Sequence, residues 1–490
     1  MSNPGHAICF ILDGKTIEVN DIPPTTTLLQ YLRESLGRSR TKEGCAEGDC
    51  GACTVVVGEP ANGSIAYRAV NSCIRFLPTL DGKEVVTVES LRAAAGDLHP
   101  VQQAMVDCHG SQCGFCTPGF VMSLFGLYLN QPAATRDEVI DALAGNLCRC
   151  TGYRPIVDAG CKMNDYPPPA HWSRDDAQSA ARRERLQSIQ RKDSLALGTP
   201  AGFLAPQTLA ELASAYAAAP GSLLLAGSTD IGLWVTKQMR ELPPIIYLGE
   251  VAELKTIRET GGMLEIGAAV RLTEAYDAIV KHYPMLAELG NRFASPPIRN
   301  AGTLCGNLAN GSPIGDSMPV LIALGASVEL RCGDRTRTLP LEKLYLGYQK
   351  KDLAAGEFLT AVRIPLPQPG CTVASYKIAK RYDQDISAVC GGYALTISDG
   401  MVTAARIAYG GMAAIPQRAA RTETALIGQP WNEATVAAAM QQIAADYTPL
   451  SDMRASAAYR LQVAANLLQR FYLEHSGAAI ASRIEMVAAD

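Results

Sequence analysis

Glu43-Gly44-Cys45-Ala46-Glu47-Gly48-Asp49-Cys50-Gly51-Ala52-Cys53 is the stretch that decides the fold of the amino-terminal region. Its thiols read C-x4-C-x2-C, and with Cys73 they complete the four-ligand spacing of a plant-type 2Fe-2S site. Such a loop must turn backbone N–H groups toward sulfur, and Gly44, Gly48 and Gly51 are residues that adopt positive φ without steric cost. Upstream, Ile8, Phe10 and Leu12 alternate, Asp13-Gly14 is a two-residue hairpin turn, and Ile17 and Val19 alternate on the return. Leu28, Leu29, Leu32 and Leu36 then recur at helical spacing between a Thr27 cap and a Gly37 stop. Downstream, the loop enters a strand over 54–57. Together these predict a β-grasp, ferredoxin-like domain over residues 1–85.

A second set, Cys113, Cys116, Cys148 and Cys150, reads C-x2-C, a gap of 31 residues, then C-x-C. Its surroundings are helical. Thr117 is placed to cap a helix that Pro118 begins, Thr135 and Glu138 form a capping-box pattern for a helix ending at Gly145, and Pro155 opens another. Residues 86–165 therefore read as a helical domain holding a second 2Fe-2S cluster. Four cysteines also suit structural zinc, but the glycine-rich C-x4-C-x2-C arrangement speaks for iron-sulfur.

The prolines at Tyr166-Pro-Pro-Pro-Ala170 and the polar run after them, with Leu186 and Ile189 as its apolar anchors, read as an interdomain linker over 166–195. Short strands at 223–226, 245–248 and 264–266 and a helix from Thr273 describe an α+β domain over 196–370. Residues 371–490 begin with strand alternation around Tyr376 and 389–397 and end in an Ala-rich helix from Glu433 to about Glu474. The chain contains no G-x-G-x-x-G, so a Rossmann site has no support. Two other stretches suit a phosphate-bearing ligand. Leu224-Leu225-Ala226-Gly227-Ser228-Thr229-Asp230 is a strand entering a small-residue turn, and Arg299 to Asn310 combines Gly302, Thr303, Gly306, Asn307 and Asn310 ahead of Asp316, a possible ribose acceptor.

At 490 residues the chain exceeds one core, and a prior of about 100 to 200 residues per domain predicts several. A formal charge of -4 gives no basic footprint for nucleic acid. The start lacks a cationic region, and no apolar run reaches the ~18 residues of a membrane span. An odd count of 15 cysteines, seven scattered outside the two sets, points to free thiols and a cytoplasmic setting.

Cys113-Gly-Phe-Cys-Thr-Pro-Gly119, Cys148-Arg-Cys-Thr-Gly-Tyr-Arg-Pro155 and the Glu43–Cys53 loop are similar to the molybdenum hydroxylase family, and Ala226-Gly-Ser-Thr-Asp230 and Cys305-Gly-Asn307 match its FAD-binding domain. The order of parts resembles the iron-sulfur/FAD small subunits of bacterial xanthine dehydrogenases. The resemblance implies a multidomain α+β protein, with the two cluster domains, a PCMH-type FAD domain and a C-terminal flavoprotein domain. It implies that Leu224, Leu225, Ala226, Gly227, Ser228, Thr229, Asp230 and Ile231 cradle the FAD diphosphate. Phe293 would lie beside the isoalloxazine, with Gly302, Thr303, Gly306, Asn307, Asn310, Asp316, Leu359 and Lys377 lining the rest. The family's mobile loop falls at 380–386, with Tyr382 where animal relatives carry a basic residue.

In the implied relay a molybdopterin-binding large subunit oxidises hypoxanthine and xanthine to urate. Electrons pass through the helical-domain cluster, then the ferredoxin-like cluster, to FAD and on to NAD. The expected assembly is a heterodimer that dimerises further, with molybdopterin in the partner only. The competing expectation keeps the relay and changes the substrate to an aldehyde or another N-heterocycle. A cluster-bearing redox sensor would leave the flavin-like half without a role.

Overall fold

The computed structural model describes residues 7–61, 63–93, 96–169, 172, 176–198 and 202–477. They form two compact units. The first holds the described residues through Leu254 with Arg271–Thr273 and Ala294–Thr303, and the second holds Lys255–Val270, Glu274–Phe293 and the described residues from Leu304 onward. The stretch expected as an FAD-binding domain, 196–370, is thus divided between them.

In the first unit the strands Lys15–Val19, Ile8–Leu12, Glu84–Val86, Thr54–Ala61 and Ser64–Asn71 lie in that order in one sheet, with Ile8–Leu12 and Glu84–Val86 parallel. This is the β-grasp topology. The hairpin turn is as read, with Asp13 at φ 49 and Gly14 at φ 79. Asp13 also accepts hydrogen bonds from the Thr87 N–H and hydroxyl, so the turn is tied to the end of the sheet. Thr27 and Gln30 form a full capping box, and the helix continues as a wider π turn over Tyr31–Ser35 before Gly37 ends it at φ 65.

Four helices follow, Pro100–Asp107, Thr117–Asn130, Arg136–Leu143 and Arg154–Lys162, around a core that includes Phe120, Leu124, Phe125, Val139 and Ile156. The Thr135–Glu138 box forms. Thr117 does not cap its helix: Cys116 is the N-cap residue, and the Thr117 hydroxyl instead bonds Ser111 at 2.7 Å. The segment read as a linker contains the helix Asp176–Ser188 with Leu186 buried. Its side chains hold carbonyls of the β-grasp sheet's loops, Arg183 at Gly63, Arg185 at Gly14 and Gln190 at Gly82, and Arg182 stacks 3.7 Å over the Trp172 ring. A four-stranded sheet ordered Leu195–Leu197, Phe203–Ala205, Ile245–Tyr247, Leu223–Leu225 completes the unit and shares its apolar core with Ile8, Phe10 and Leu77.

A polar network lies inside this unit. Glu59 pairs with Arg271, and Lys83 pairs with Glu250. Burial would raise the Glu59 carboxyl, but Arg271, Lys83 and Arg75 outweigh it and hold it well below the carboxylate range. A depressed carboxylate stabilises the fold above its unfolded value near 4.3, and that contribution is lost as pH falls through and below it. We expect Glu59→Gln to cost about 2 kcal/mol at pH 7 in chemical denaturation, with the difference from wild type largely kept at about pH 4 and shrinking as pH falls from there toward the depressed native value. A difference unchanged down to about pH 2 would show that the charge of Glu59 is not what stabilises.

The second unit contains an antiparallel sheet ordered Ile257–Thr260, Met263–Gly267, Phe358–Pro365, Ser327–Cys332, Arg335–Pro340, and another ordered Cys371–Ile378, Val389–Ser398, Met401–Gly410, Gln417–Arg418. The expected Ala-rich terminal helix is two helices, Glu433–Asp446 and Ala457–His475. Pro449 lies in the break, where Asp452 accepts a hydrogen bond from Arg460 and the Ser456 side chain caps the second helix. Both helices pack on the four-stranded sheet through Val436, Ile443, Leu467 and Phe471. Among the described residues no helix is long and apolar enough to cross a membrane, and all fifteen cysteines are unpaired.

Candidate functional site

The Cys45–Cys53 loop folds around its own sulfurs. The N–H groups of Glu47 and Cys50 donate to the Cys45 sulfur at 3.4 and 3.3 Å. Hydrogen bonds from the Cys50 and Cys73 thiols, then from those N–H groups, hold the Cys45 thiol far below the cysteine range despite burial. Gly48 and Gly51 take positive φ, as the sequence predicts. Gly44 does not, and Ala46 is the residue at φ 55. What Gly44 supplies is room, since a Cβ there would lie 2.8 Å from the Cys50 sulfur. Cys53 and Cys73 are buried in an apolar group with Leu29 and Ile74, against Leu233 and Ile298.

The second set is differently placed. Cys113 and Cys150 are exposed, and Cys116 and Cys148 are partly buried. Thiol contacts pair Cys113 with Cys150 and Cys116 with Cys148. Burial pushes Cys116 up to about 12; it also opposes ionisation of Cys148, which hydrogen bonds from the Thr151 hydroxyl and N–H nonetheless bring down. Pairwise sulfur contacts fit a binuclear cluster, in which each iron takes two thiolates.

The two loops meet. Leu147 donates its N–H to the Cys50 carbonyl at 3.0 Å. The Gly51 carbonyl accepts from the Thr54 hydroxyl at 2.7 Å and from Asn146 Nδ2 at 3.1 Å, and Asn146 Oδ1 accepts from Ser123 at 2.6 Å. Asn146 is thus a buried hub between the ligand loops. Sequence reasoning passed over it, although its place two residues before Cys148 was a usable signal.

The flavin-candidate residues fall in both units. In the first, Leu223–Leu225 runs into a turn with Ser228 at φ 64 and then the short helix Ile231–Thr236. Among the described residues the N–H groups of Gly227, Ser228 and Thr229 have no acceptor, which suits an anionic diphosphate. Gly227 lets the turn close on 301–302, since a Cβ there would meet the Ala301 oxygen at 2.3 Å. Gly302 lies beside the Thr229 hydroxyl, and Thr303 pairs with Arg271 in an isolated bridge.

In the second unit, Gly306, Asn307 and Asn310 lie on the helix Leu304–Asn310, and Asn307 Oδ1 is buried without a hydrogen-bond partner, an acceptor available to a ligand. Asp316 does not stand free. Lys377 Nζ and Ser387 Oγ each contact one of its oxygens at 2.5 Å, an ion-paired group where sequence reasoning placed a ribose acceptor and a separate lysine. Leu359 is buried on its strand opposite Leu330. Phe293 packs on Tyr276 with ring centroids 5.8 Å apart. The 380–386 loop is held by Arg292, which donates to the Tyr382 and Lys377 carbonyls and stacks 4.5 Å over the Tyr382 ring.

Comparison with known proteins finds four domain families along the chain. Residues 10–74 match a 2Fe-2S iron-sulfur cluster binding domain, 87–161 a [2Fe-2S] binding domain, 199–367 the FAD binding domain in molybdopterin dehydrogenase, and 374–475 the CO dehydrogenase flavoprotein C-terminal domain. Xanthine dehydrogenase 2 of Arabidopsis thaliana is 32% identical over 489 residues, covering 86% of this chain and 36% of that protein. Aldehyde oxidase 1 of Bos taurus is 30% identical, covering 96% and 39%. The chain therefore spans between a third and two fifths of the length of these relatives. Quinoline 2-oxidoreductase from Pseudomonas putida 86 matches in structure with a TM-score of 0.52 at 28% identity, covering 56% of this chain and 97% of that one.

Fold and site define an iron-sulfur flavoprotein with two 2Fe-2S domains and one FAD-binding domain. It belongs to the molybdenum hydroxylases, in the family of the xanthine dehydrogenases and aldehyde oxidases.

Proposed function

We propose that this chain is the electron-transfer subunit of a cytoplasmic xanthine dehydrogenase. It takes electrons from a molybdopterin-binding partner subunit that oxidises hypoxanthine and xanthine, and it delivers them to NAD. When bound, the clusters supply one-electron steps and the flavin exchanges electron pairs with the nicotinamide.

One observation carries the reading. Two hydrogen bonds, Leu147 N–H to the Cys50 carbonyl at 3.0 Å and Asn146 Nδ2 to the Gly51 carbonyl at 3.1 Å, join the two ligand loops. The outer ligands Cys113 and Cys150 face solvent beside the exposed side chains of Phe115, Leu147 and Tyr153, an apolar rim suited to a docked partner. The inner ligands Cys53 and Cys73 are buried against Leu233, on the helix that follows the diphosphate turn. An entry point, a junction and an exit point thus lie in sequence. Arg292, by holding Tyr382, orders the loop next to Phe293, where the nicotinamide would approach.

Xanthine is favoured over an aldehyde by xanthine dehydrogenases matching at 31–33% identity against 30% for the aldehyde oxidases. The native complex, assayed for NAD reduction with xanthine, hypoxanthine and aldehydes, should turn over the purines fastest. Faster turnover of an aldehyde would reassign the substrate, and no reduction of NAD with any of them would remove the proposed acceptor.

A further inference from the structure

Ile74 is the residue after the cluster ligand Cys73, and it is clasped from two sides. On one side, a Cβ on Gly48 of the cysteine loop would lie 2.6 Å from Ile74 Cδ1. On the other, a Cβ on Gly232 would lie 2.7 Å from the Ile74 carbonyl oxygen. That same oxygen accepts a 2.7 Å hydrogen bond from the Ser228 hydroxyl, which is buried. Ser228 holds φ 64, a left-handed conformation uncommon for residues other than glycine, at the centre of the turn whose N–H groups lack acceptors. A serine kept in that conformation with its hydroxyl spent on a neighbour's backbone is not needed for a plain turn, which glycine would make without strain. Lys237 adds a second tie, donating to the Cys45 carbonyl at 3.1 Å.

We propose that Ser228 is a positioning residue that couples occupancy of the flavin diphosphate turn to the electronic environment of the ferredoxin-like cluster, acting through the Ile74 carbonyl and Cys73. This rests on reading the turn at 227–229 as the FAD diphosphate cradle. An anion held by the N–H groups of that turn fixes the Ser228 backbone and with it the hydroxyl donated to Ile74, so the peptide next to Cys73 differs between the flavin-loaded and flavin-free protein. Hydrogen bonds and charge near the ligating sulfurs set the potential of such clusters. Because the coupling is thermodynamic it runs both ways: FAD binds with different affinity to the oxidised and the reduced cluster, and a threefold preference corresponds to a potential shift of about 28 mV.

The test is an EPR-monitored redox titration of the ferredoxin-like cluster in the purified holoprotein and after FAD removal, with FAD affinity measured in parallel. The signal is assigned as the one lost in Cys73→Ser. In wild type, removal of FAD should shift the midpoint, because the Ser228 hydroxyl is no longer fixed on the Ile74 carbonyl beside Cys73. Ser228→Ala should lose at least half of that shift and bind FAD about fivefold more weakly. Ser228→Asn, which tolerates positive φ and retains a donor, should recover both. Ser228→Gly removes the hydroxyl while relieving the backbone, so it repeats the alanine test should that variant fold poorly. A midpoint indifferent to FAD in wild type, or an undiminished shift in both hydroxyl-free variants, overturns the inference. A chain that binds no FAD at all sinks the flavin reading as well, whereas flavin bound beside an unmoved cluster sinks the coupling alone.

Discussion

Gly51→Ala should yield a chain that cannot close its two cluster domains: little soluble protein, iron content near zero, and a loss of at least about 4 kcal/mol in any folded fraction. Gly51 has φ 72, and a Cβ there would lie 2.1 Å from the Gly145 carbonyl oxygen and 2.5 Å from Asn146 Nδ2. The first of these is backbone, which has no rotamer by which to retreat. Displacing it would also break the Asn146 bond to the Gly51 carbonyl and bury unpaired polar atoms. Gly119 approaches from the helix side, where its added Cβ would lie 2.1 Å from the Gly51 oxygen, so Gly119→Ala should fail in the same way. Gly114→Ala is the control. It shares a positive φ of 80 but has nothing within 4 Å, and should cost only about 1 kcal/mol. Thermal melts and iron assays on the three variants decide the matter, and a Gly51→Ala protein with wild-type melting and iron would refute the close approach.

Replacing one ligand in each set should separate the roles of the two clusters. Cys113→Ser and Cys73→Ser are each expected to lower iron from about four to about two atoms per chain. Both should reduce xanthine-driven NAD reduction in the complex to background, while NADH-driven dye reduction, which needs only the flavin, persists. Stability should tell them apart. Cys73 is 3% exposed and sits among Leu29, Ile74 and Leu233, so an unligated hydroxyl there leaves an unfilled, poorly satisfied space. Cys113 is exposed, and its loss should move the melting temperature far less. Retention of full iron by either variant would remove that cysteine from the ligand set.

Much of the site was legible because its chemistry is local. The C-x4-C-x2-C loop, the Asp13-Gly14 hairpin and the Thr135–Glu138 box each depend on residues a few positions apart, and each formed. The misreadings share a different cause. Thr117 was expected to cap because Pro118 follows it, but its hydroxyl found Ser111, and no pattern distinguishes those two partners. The helix Asp176–Ser188 looked like linker because its composition is polar; its partners are carbonyls of Gly14 and Gly63, far away in the sequence. The Ala-rich tail hid its break because alanine carries helix propensity across a gap that Pro449 and the Asp452–Arg460 pair enforce. Asp316 and Lys377 were each singled out, yet their direct pairing joins residues 61 positions apart, which spacing alone does not reveal.

The contrast between exposed Cys113 and Cys150 and buried Cys53 and Cys73 constrains how this protein matures. A scaffold protein delivering iron and sulfide from solution finds the outer thiols within reach on the finished fold. The inner pair is packed among Leu29, Ile74, Leu233 and Ile298, so its cargo has to arrive before that packing closes. Chelators and oxidants meet the same order in reverse, stripping the outer centre first.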